Sequence, residues 1–368
     1  MINSFRRFKE DERVFFSISA VILCLGLVMV YSSSYIFAVE TYGSSSYLFS
    51  KQIVNALFGG VVFYIVSKTK FDFWCKHANK INIFVSLLVI STFLPLVGVS
   101  VKGSSRWLNL FFVKFQPGEL LKYTTILMSV YFTVNFKSFT TQQKTGYFLL
   151  MFFPICMLAL QPDFGSFIIC FLIVIFIGFL SEIPRKLFYS FFIGAGMVAG
   201  FVLTLADYRV QRLLTFLDPW KSPKSSGFQI IQSYLAFSNG GIFGLGIGNS
   251  NEKLLYLPEA HNDFIFSVVG EEFGFIGVFI VVSLFVSFIF YGFKIALGFN
   301  NLEMRLVSSG VIFLIGIQAM FNMGVVLGLL PTKGLNLPFF SYGGSSLICN
   351  FFGLGLIVSA LKKKTMRN

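Results

Sequence analysis

Hydrophobic positions in this chain run together in long blocks, and polar or Gly/Pro-rich segments separate the blocks. A helix that crosses a bilayer needs about 20 mostly apolar residues. On that criterion the blocks predict ten spans, at roughly 14–37, 52–67, 78–97, 119–136, 147–162, 165–181, 187–205, 265–291, 304–327 and 346–361. The fifth and sixth are divided only by Pro162-Asp163-Phe164-Gly165, a tight turn. An even number of spans puts both ends of the chain on one side. The longest segment between spans, 206–264, is punctuated by Gly, Pro and Ser yet holds apolar stretches such as Ile230 to Phe237. A connection of that length carries structure or function of its own, and this one reads as partly helical at the membrane interface. The expected fold class is an all-α integral membrane protein, a single polytopic domain over 1–368 with short polar ends at 1–13 and 362–368.

Composition removes the soluble alternatives. The chain is 55% hydrophobic, 18% aromatic and 12% charged, against about a quarter charged in soluble domains. A soluble enzyme or a disordered scaffold is therefore excluded. The net charge of +13 points to orientation in the membrane rather than to nucleic acid. Arg6, Arg7, Lys9 and Arg13 precede the first span and assign the N-terminus to the cytoplasm. With ten spans, 18 of the 29 Lys and Arg then fall on that side, and nearly all the net charge with them. The run from Val14 to about Phe37 is too long for a cleavable signal and is expected to remain as the first helix. Cys24, Cys75, Cys156, Cys170 and Cys349 are scattered as packing residues, and with only His77 and His261 present no zinc spacing appears.

Four polar clusters stand out against this apolar background. Tyr256-Leu-Pro-Glu-Ala-His-Asn-Asp263 precedes the eighth span, and Gly270-Glu-Glu-Phe-Gly274 lies within it. Carboxylates at such depth are expensive and mark functional sites by default. By position, Asp263 is either a helix cap or a reacting group, whereas Glu271 and Glu272 read first as structurally paired. The second cluster runs from Lys102 through Arg106 and Trp107 to Gln116-Pro-Gly-Glu119-Leu-Leu-Lys122. Pro117 suits a first helical turn, which puts Glu119 and Lys122 on one face as an ion pair or an anion site. The third cluster holds Arg209, Arg212, Asp218, Trp220 and the glycine-rich Gly240–Gly248, which reads as bends more than as a phosphate cradle. The fourth, Leu330 to Ser346, has two prolines and three glycines and so cannot continue a helix; such backbone lines a polar cavity or is buried in protein.

In their order and spacing these clusters resemble the SEDS family (shape, elongation, division and sporulation), over essentially the whole chain. Tyr256–Gly274 and Leu330–Ser346 are the most specific matches, and Tyr31-Ser-Ser-Ser34 with Leu330-Pro-Thr-Lys-Gly look more like the cell-division branch than the elongation branch. The resemblance implies ten spans in the bacterial inner membrane and a peptidoglycan glycosyltransferase that polymerises lipid II on the outer face. Asp263 matches the family's essential aspartate. Departures are Asn262 and Asn336 where Thr is usual and Gly118 where Ser is common. A class B penicillin-binding protein and other divisome proteins are the implied partners.

The chemistry so implied needs a base and positive charge. Asp263 is expected to accept the proton of an attacking sugar hydroxyl. Arg106, Lys122, Arg209 and Arg212 are expected to meet the pyrophosphate that leaves. Glu119 would orient Lys122, His261 would position Asp263 or touch the sugar, and Glu259, Lys333 and Ser341 complete the substrate-binding candidates. A divalent cation, Mg or Mn, is conceivable without a convincing ligand set. The competing reading is a flippase carrying the lipid-linked precursor, which also suits many spans with intramembrane acids. A third reading, a structural anchor, predicts silent substitutions at Asp263 and Lys122.

Overall fold

The computed structural model describes residues 2–95, 97–101, 104–110, 113–186, 189, 194, 215–223, 227–251, 259–331 and 334–367. Helices dominate: α1 (Ile2–Tyr42), α2 (Tyr47–Lys68), α3 (Phe71–Lys76), α4 (Ala78–Ser91), α5 (Pro117–Val134), α6 (Thr141–Leu160), α7 (Phe164–Leu180), α8 (Phe228–Gly240), α9 (Ile265–Leu297), α10 (Leu302–Val326) and α11 (Gly344–Arg367). Nine of the ten expected spans fall on one of these helices; the seventh, 187–205, lies almost entirely outside the described residues. Among the described residues six helices are long and apolar enough to cross a membrane, and α4 and α7 are shorter apolar helices. The chain is a multi-pass helical membrane protein.

Local chemistry sets several boundaries. Thr140 and Gln143 form a reciprocal capping box at the start of α6. Asp163 accepts from the Ser166 amide, 3.3 Å, and so starts α7 immediately after the turn that ends α6. Asn301 caps α10 through the Met304 amide at 3.0 Å. Pro117 occupies the first turn of α5, where its missing N–H costs nothing.

The helical reading needs one addition. Residues 98–115 form a three-stranded antiparallel sheet, β1 (Gly98–Val101), β2 (Ser104–Leu110) and β3 (Val113–Phe115), in the order β1-β2-β3. Gly98 pairs with Leu108 and Leu108 with Phe115, so Leu108 sits mid-sheet and is buried. The strands, of 4, 7 and 3 residues, are too short to establish a period-two pattern.

Helix α5 is the centre of the bundle, contacting α4, α6, α7, α10 and α11. Every residue from Leu121 to Val130 is buried, Lys122, Thr124, Thr125 and Ser129 among them. A helix buried on all faces and carrying this much polarity must be satisfied by neighbours, since lipid offers no partners. At one end of the bundle the basic residues gather. Lys294 pairs with Asp11 at 2.7 Å, Lys363 pairs with Asp72, and Lys362 and Lys364 donate to the Ser67 and Gly298 carbonyls at 2.9 and 2.7 Å. The start of α1 and the end of α11 therefore share an end, as an even number of spans requires. The sheet, the α6–α7 turn and the described residues 327–331 and 334–343 lie at the other.

Helix α9 is broken at Gly274, where φ is 64° and ψ −160°. A break leaves backbone groups unbonded, and the glycine-rich segment supplies their partners. Leu245 and Gly246 donate to the carbonyls of Glu271 and Glu272, both at 2.9 Å, while Phe275 and Ile276 donate to Gly241 and Ile242 at 2.9 and 3.2 Å. The glycines are required by this close approach: a Cβ on Gly274 would lie 2.4 Å from the Gly244 nitrogen, and one on Gly240 2.0 Å from the Gly270 oxygen. Residues 241–246 thus bend to strap the break, and these amides are spent on helix carbonyls.

Gly274→Ala is expected to lower the melting temperature of the detergent-purified protein. A backbone at φ 64° and ψ −160°, a region held almost entirely by glycine, alone costs an L-residue roughly 1–3 kcal/mol, before the clash. Gly60→Ala, on α2 with nothing within 4 Å of the new Cβ, should leave the melting temperature unchanged or slightly raised.

Candidate active site

The loop from Leu330 to Gly343 is the junction of the site. The Tyr342 amide donates to the His261 carbonyl at 2.9 Å, joining this loop to the turn that carries Asp263. The Gln116 amide donates to Ser345 Oγ at 3.0 Å, joining the start of α11 to the start of α5. Gln52 holds the loop from α2: its Nε2 donates to the Ser341 carbonyl at 3.1 Å and its Oε1 accepts from the Gly343 amide at 3.3 Å. Three of the four sequence clusters are thereby brought together.

Asp263 lies in the turn before α9, and the N-cap position belongs to Phe264, which makes no side-chain cap bond. Two contacts fix the residue. Asn322 of α10 donates from Nδ2 to the Asp263 carbonyl and to the Leu335 carbonyl, both 2.7 Å. The Asp263 carboxylate lies against Gly334, where a Cβ would come within 2.8 Å of Oδ2. The backbone is clamped while the carboxylate lies over a residue without a side chain.

Around it, His261 is buried between aromatic rings, stacked on Phe37 at 5.1 Å and edge-on to Tyr342 at 5.8 Å. Burial pushes the Tyr342 phenol up to about 12, so it stays neutral at physiological pH. Glu259 adopts a positive φ of 60°, and its carboxylate accepts from the Asn262 amide group. Ser341 is buried, and its hydroxyl accepts from the Leu337 amide at 2.8 Å, which turns the loop back on itself.

The cations are arranged differently from one another. Lys122 is fully buried, with Nζ 2.7 Å from Glu119 Oε1. The expected pair exists, and as a pair it is neutral and enclosed. Arg106 is half-buried and donates to the carbonyls of Gln161 and Pro162, at the C-terminal end of α6 where helix carbonyls attract a cation. Arg209, Arg212 and Lys333 lie outside the described residues. Among the described residues no three His, Cys, Asp or Glu side chains lie together as ligands for the Mg or Mn ion considered from the sequence.

The family described as cell cycle protein, FtsW/RodA/SpoVE, matches residues 12–366. This chain belongs to that family. It is 37% identical over 357 residues to a probable peptidoglycan glycosyltransferase FtsW of Geobacter metallireducens, covering 95% of each chain. It is 36% identical to the Coxiella burnetii protein of the same description, covering 92% of each. Among solved structures it is similar to a chain of a peptidoglycan synthase complex that coordinates polymerisation and crosslinking (TM-score 0.75, 28% identity, 95% of this chain and 97% of that one). It is also similar to the rod shape determining protein RodA of Thermus thermophilus (TM-score 0.69, 26% identity, 95% of this chain and 96% of that one).

The departures from the family pattern acquire local readings. Asn262 braces Glu259, and Asn336 donates to the Tyr342 carbonyl at 3.4 Å. At Gly118 a Cβ would lie 3.5 Å from Asp163 Oδ2, which already accepts from Gln116 Nε2 at 3.1 Å. A residue with a hydroxyl there would join a network that this chain closes through Gln116 instead.

Sequence reasoning passed over Asn322, and it named Gln116 and Gly334 only as members of their clusters, without a role. The first two had a signal: an amide inside an apolar span, or at its edge, needs buried partners. Gly334 carried none, because its role is set by a residue 71 positions away in the chain, Asp263.

The Lys122–Glu119 pair makes a test of burial. Lys122→Ala leaves a carboxylate uncompensated and is expected to cost about 3–5 kcal/mol. Lys122→Met with Glu119→Gln should cost far less than either single substitution, measured by thermal or denaturant unfolding in detergent.

Proposed function

We propose that this chain is a peptidoglycan glycosyltransferase of the cell-division type, polymerising lipid II on the outer face of the bacterial inner membrane with both termini in the cytoplasm. The observation that carries the reading is Asp263: its backbone is clamped by Asn322, and its carboxylate lies over Gly334 at the junction of three polar clusters. The family membership and its relatives' description as glycosyltransferases support it. The ten-span count and the single polytopic domain belong to the same proposal.

The chemistry follows from what the residues offer. The 4-hydroxyl oxygen of one sugar bonds to the anomeric carbon of a second, whose bond to polyprenyl pyrophosphate breaks with inversion. Asp263 takes the hydroxyl proton as the bond forms, a contribution of about 10²–10⁴-fold for a positioned base. The pyrophosphate departs as an anion and needs no acid. It needs positive charge, for which Arg106, Arg209, Arg212 and Lys333 are the candidates, with Lys122 acting from within its pair with Glu119. His261 braces the turn between Phe37 and Tyr342, and Glu259 and Ser341 shape the walls. A class B penicillin-binding protein is the proposed partner. The description of the solved peptidoglycan synthase complex, which pairs polymerisation with crosslinking, supports that choice.

Purified protein, assayed with its transpeptidase partner on lipid II, is expected to make glycan polymer. Asp263→Asn should lose at least about 100-fold in rate while folding and inserting normally. Polymer made by Asp263→Asn at the wild-type rate overturns the base assignment. Lipid II crossing a vesicle membrane without any polymer would favour the flippase instead.

A further inference from the structure

Two carboxylates in α9 are buried deep in the bundle and have no part in the chemistry above. Glu271 is 0% exposed and Glu272 is 1% exposed. Each is tied to a different element. The Ser32 hydroxyl of α1 donates to Glu272, its oxygen 2.6 and 2.7 Å from the two carboxylate oxygens. Glu271 accepts from the Ser250 hydroxyl and, at 3.0 Å, from the Asn251 amide, both at the far end of the glycine strap.

These contacts sit immediately before the break at Gly274. The break matters because it separates residues 265–273 from the rest of α9. A continuous helix would pass the orientation of its long, lipid-packed half to its first turn. A broken one does not, so the short half carrying Asp263 at its head must be aimed by something else. The strap bonds, made by Gly241, Ile242, Leu245 and Gly246, supply its backbone partners, but the Ile242 and Leu245 side chains are exposed and add little packing. Helix α8 packs along its side, through Phe237 on Gly270 and Ser233 at 2.8 Å from Ser267, while Asn322 holds its head and the two carboxylates tie its base.

We propose that Glu272, held by Ser32, is a positioning residue that sets the direction of the half-helix and through it the place of the Asp263 carboxylate. The inference rests on the reading of Asp263 as the reacting base. An apolar contact between α1 and α9 would join the helices without the desolvation cost of a carboxylate. What a short hydrogen bond adds is direction, and the first turn of a half-helix pivoting at its base moves further than the base does. Misplacement of a catalytic group by about 1 Å can cost about 100-fold in rate. Glu271 does the same for the strap, keeping the segment that closes the break from sliding along it.

The test is steady-state polymerisation of lipid II by the purified protein with its transpeptidase partner. Glu272→Ala and Ser32→Ala are each expected to lower kcat by about 10- to 100-fold with KM changed by less than about twofold. Glu272→Gln keeps an acceptor for Ser32 and should restore kcat to within about fivefold of wild type. The double variant Ser32→Ala/Glu272→Ala should be no worse than Glu272→Ala alone, because both remove one contact. Ser32→Ala is the variant that keeps the proposal testable where Glu272→Ala fails to fold. An unchanged kcat in either single variant overturns the inference, as does a loss that tracks melting temperature and is not rescued by Gln. Wild-type protein that makes no polymer overturns the polymerase reading, and the inference with it.

Discussion

A peptide group in hydrocarbon has no water to bond, so every interruption of a transmembrane helix must be closed by protein. In this chain the interruption that matters is at Gly274. Its orphan carbonyls and amides are taken up by residues 241–246, at a distance only glycine permits. Much of this end of the bundle follows from that closure. The strap must approach along α9, which fixes the end of α8, and Ser250 and Asn251 at its far end bond the Glu271 carboxylate.

Charge is handled by the same rule of local closure. At the basic end, Lys363 meets the exposed Asp72, where an ion pair contributes little, Lys294 meets the buried Asp11, and Lys364 meets a helix-end carbonyl. Within the bundle, Lys122 is matched by Glu119, Asp163 by Gln116 and the Ser166 amide, and Glu272 by Ser32. Such groups add little net stability, because desolvation opposes their attraction. They restrict which arrangements of α1, α5, α7 and α9 are tolerable, and that restriction is useful where a reacting group has to be held.

The spans were legible because lipid imposes length and apolarity on each helix independently of its neighbours. Pro117, the 162–165 turn and the Glu119–Lys122 pair were legible too, since their causes lie within a few residues. Asp263 stood out through a motif that left it between helix cap and reacting group, and the N-cap position itself falls one residue on, at Phe264. The sheet escaped notice because its strands, of 4, 7 and 3 residues, are too short to establish a period-two pattern. Asn322, Gly334 and the Ser32–Glu272 bond were out of reach for a further reason: each is a contact between segments far apart in the chain, and no local pattern encodes a partner. The glycine-rich stretch was rightly read as bends, but the object it bends around was invisible.

The arrangement also bears on polymerase against carrier. A carrier exposes its binding site alternately to both sides, which calls for polar groups near the midplane and for elements free to rock. Here the deep acids are bonded to serine hydroxyls or backbone amides, and the deep lysine is closed off by its own glutamate. The broken half-helix is pinned at its head and at its base. Broken helices occur in both kinds of protein, so the break itself decides nothing. What separates them is whether the break is left as a hinge or fastened, and the described residues fasten it. A fastened break holds an acid in place at one end of the bundle, which is what displacement at a sugar carbon asks of a base.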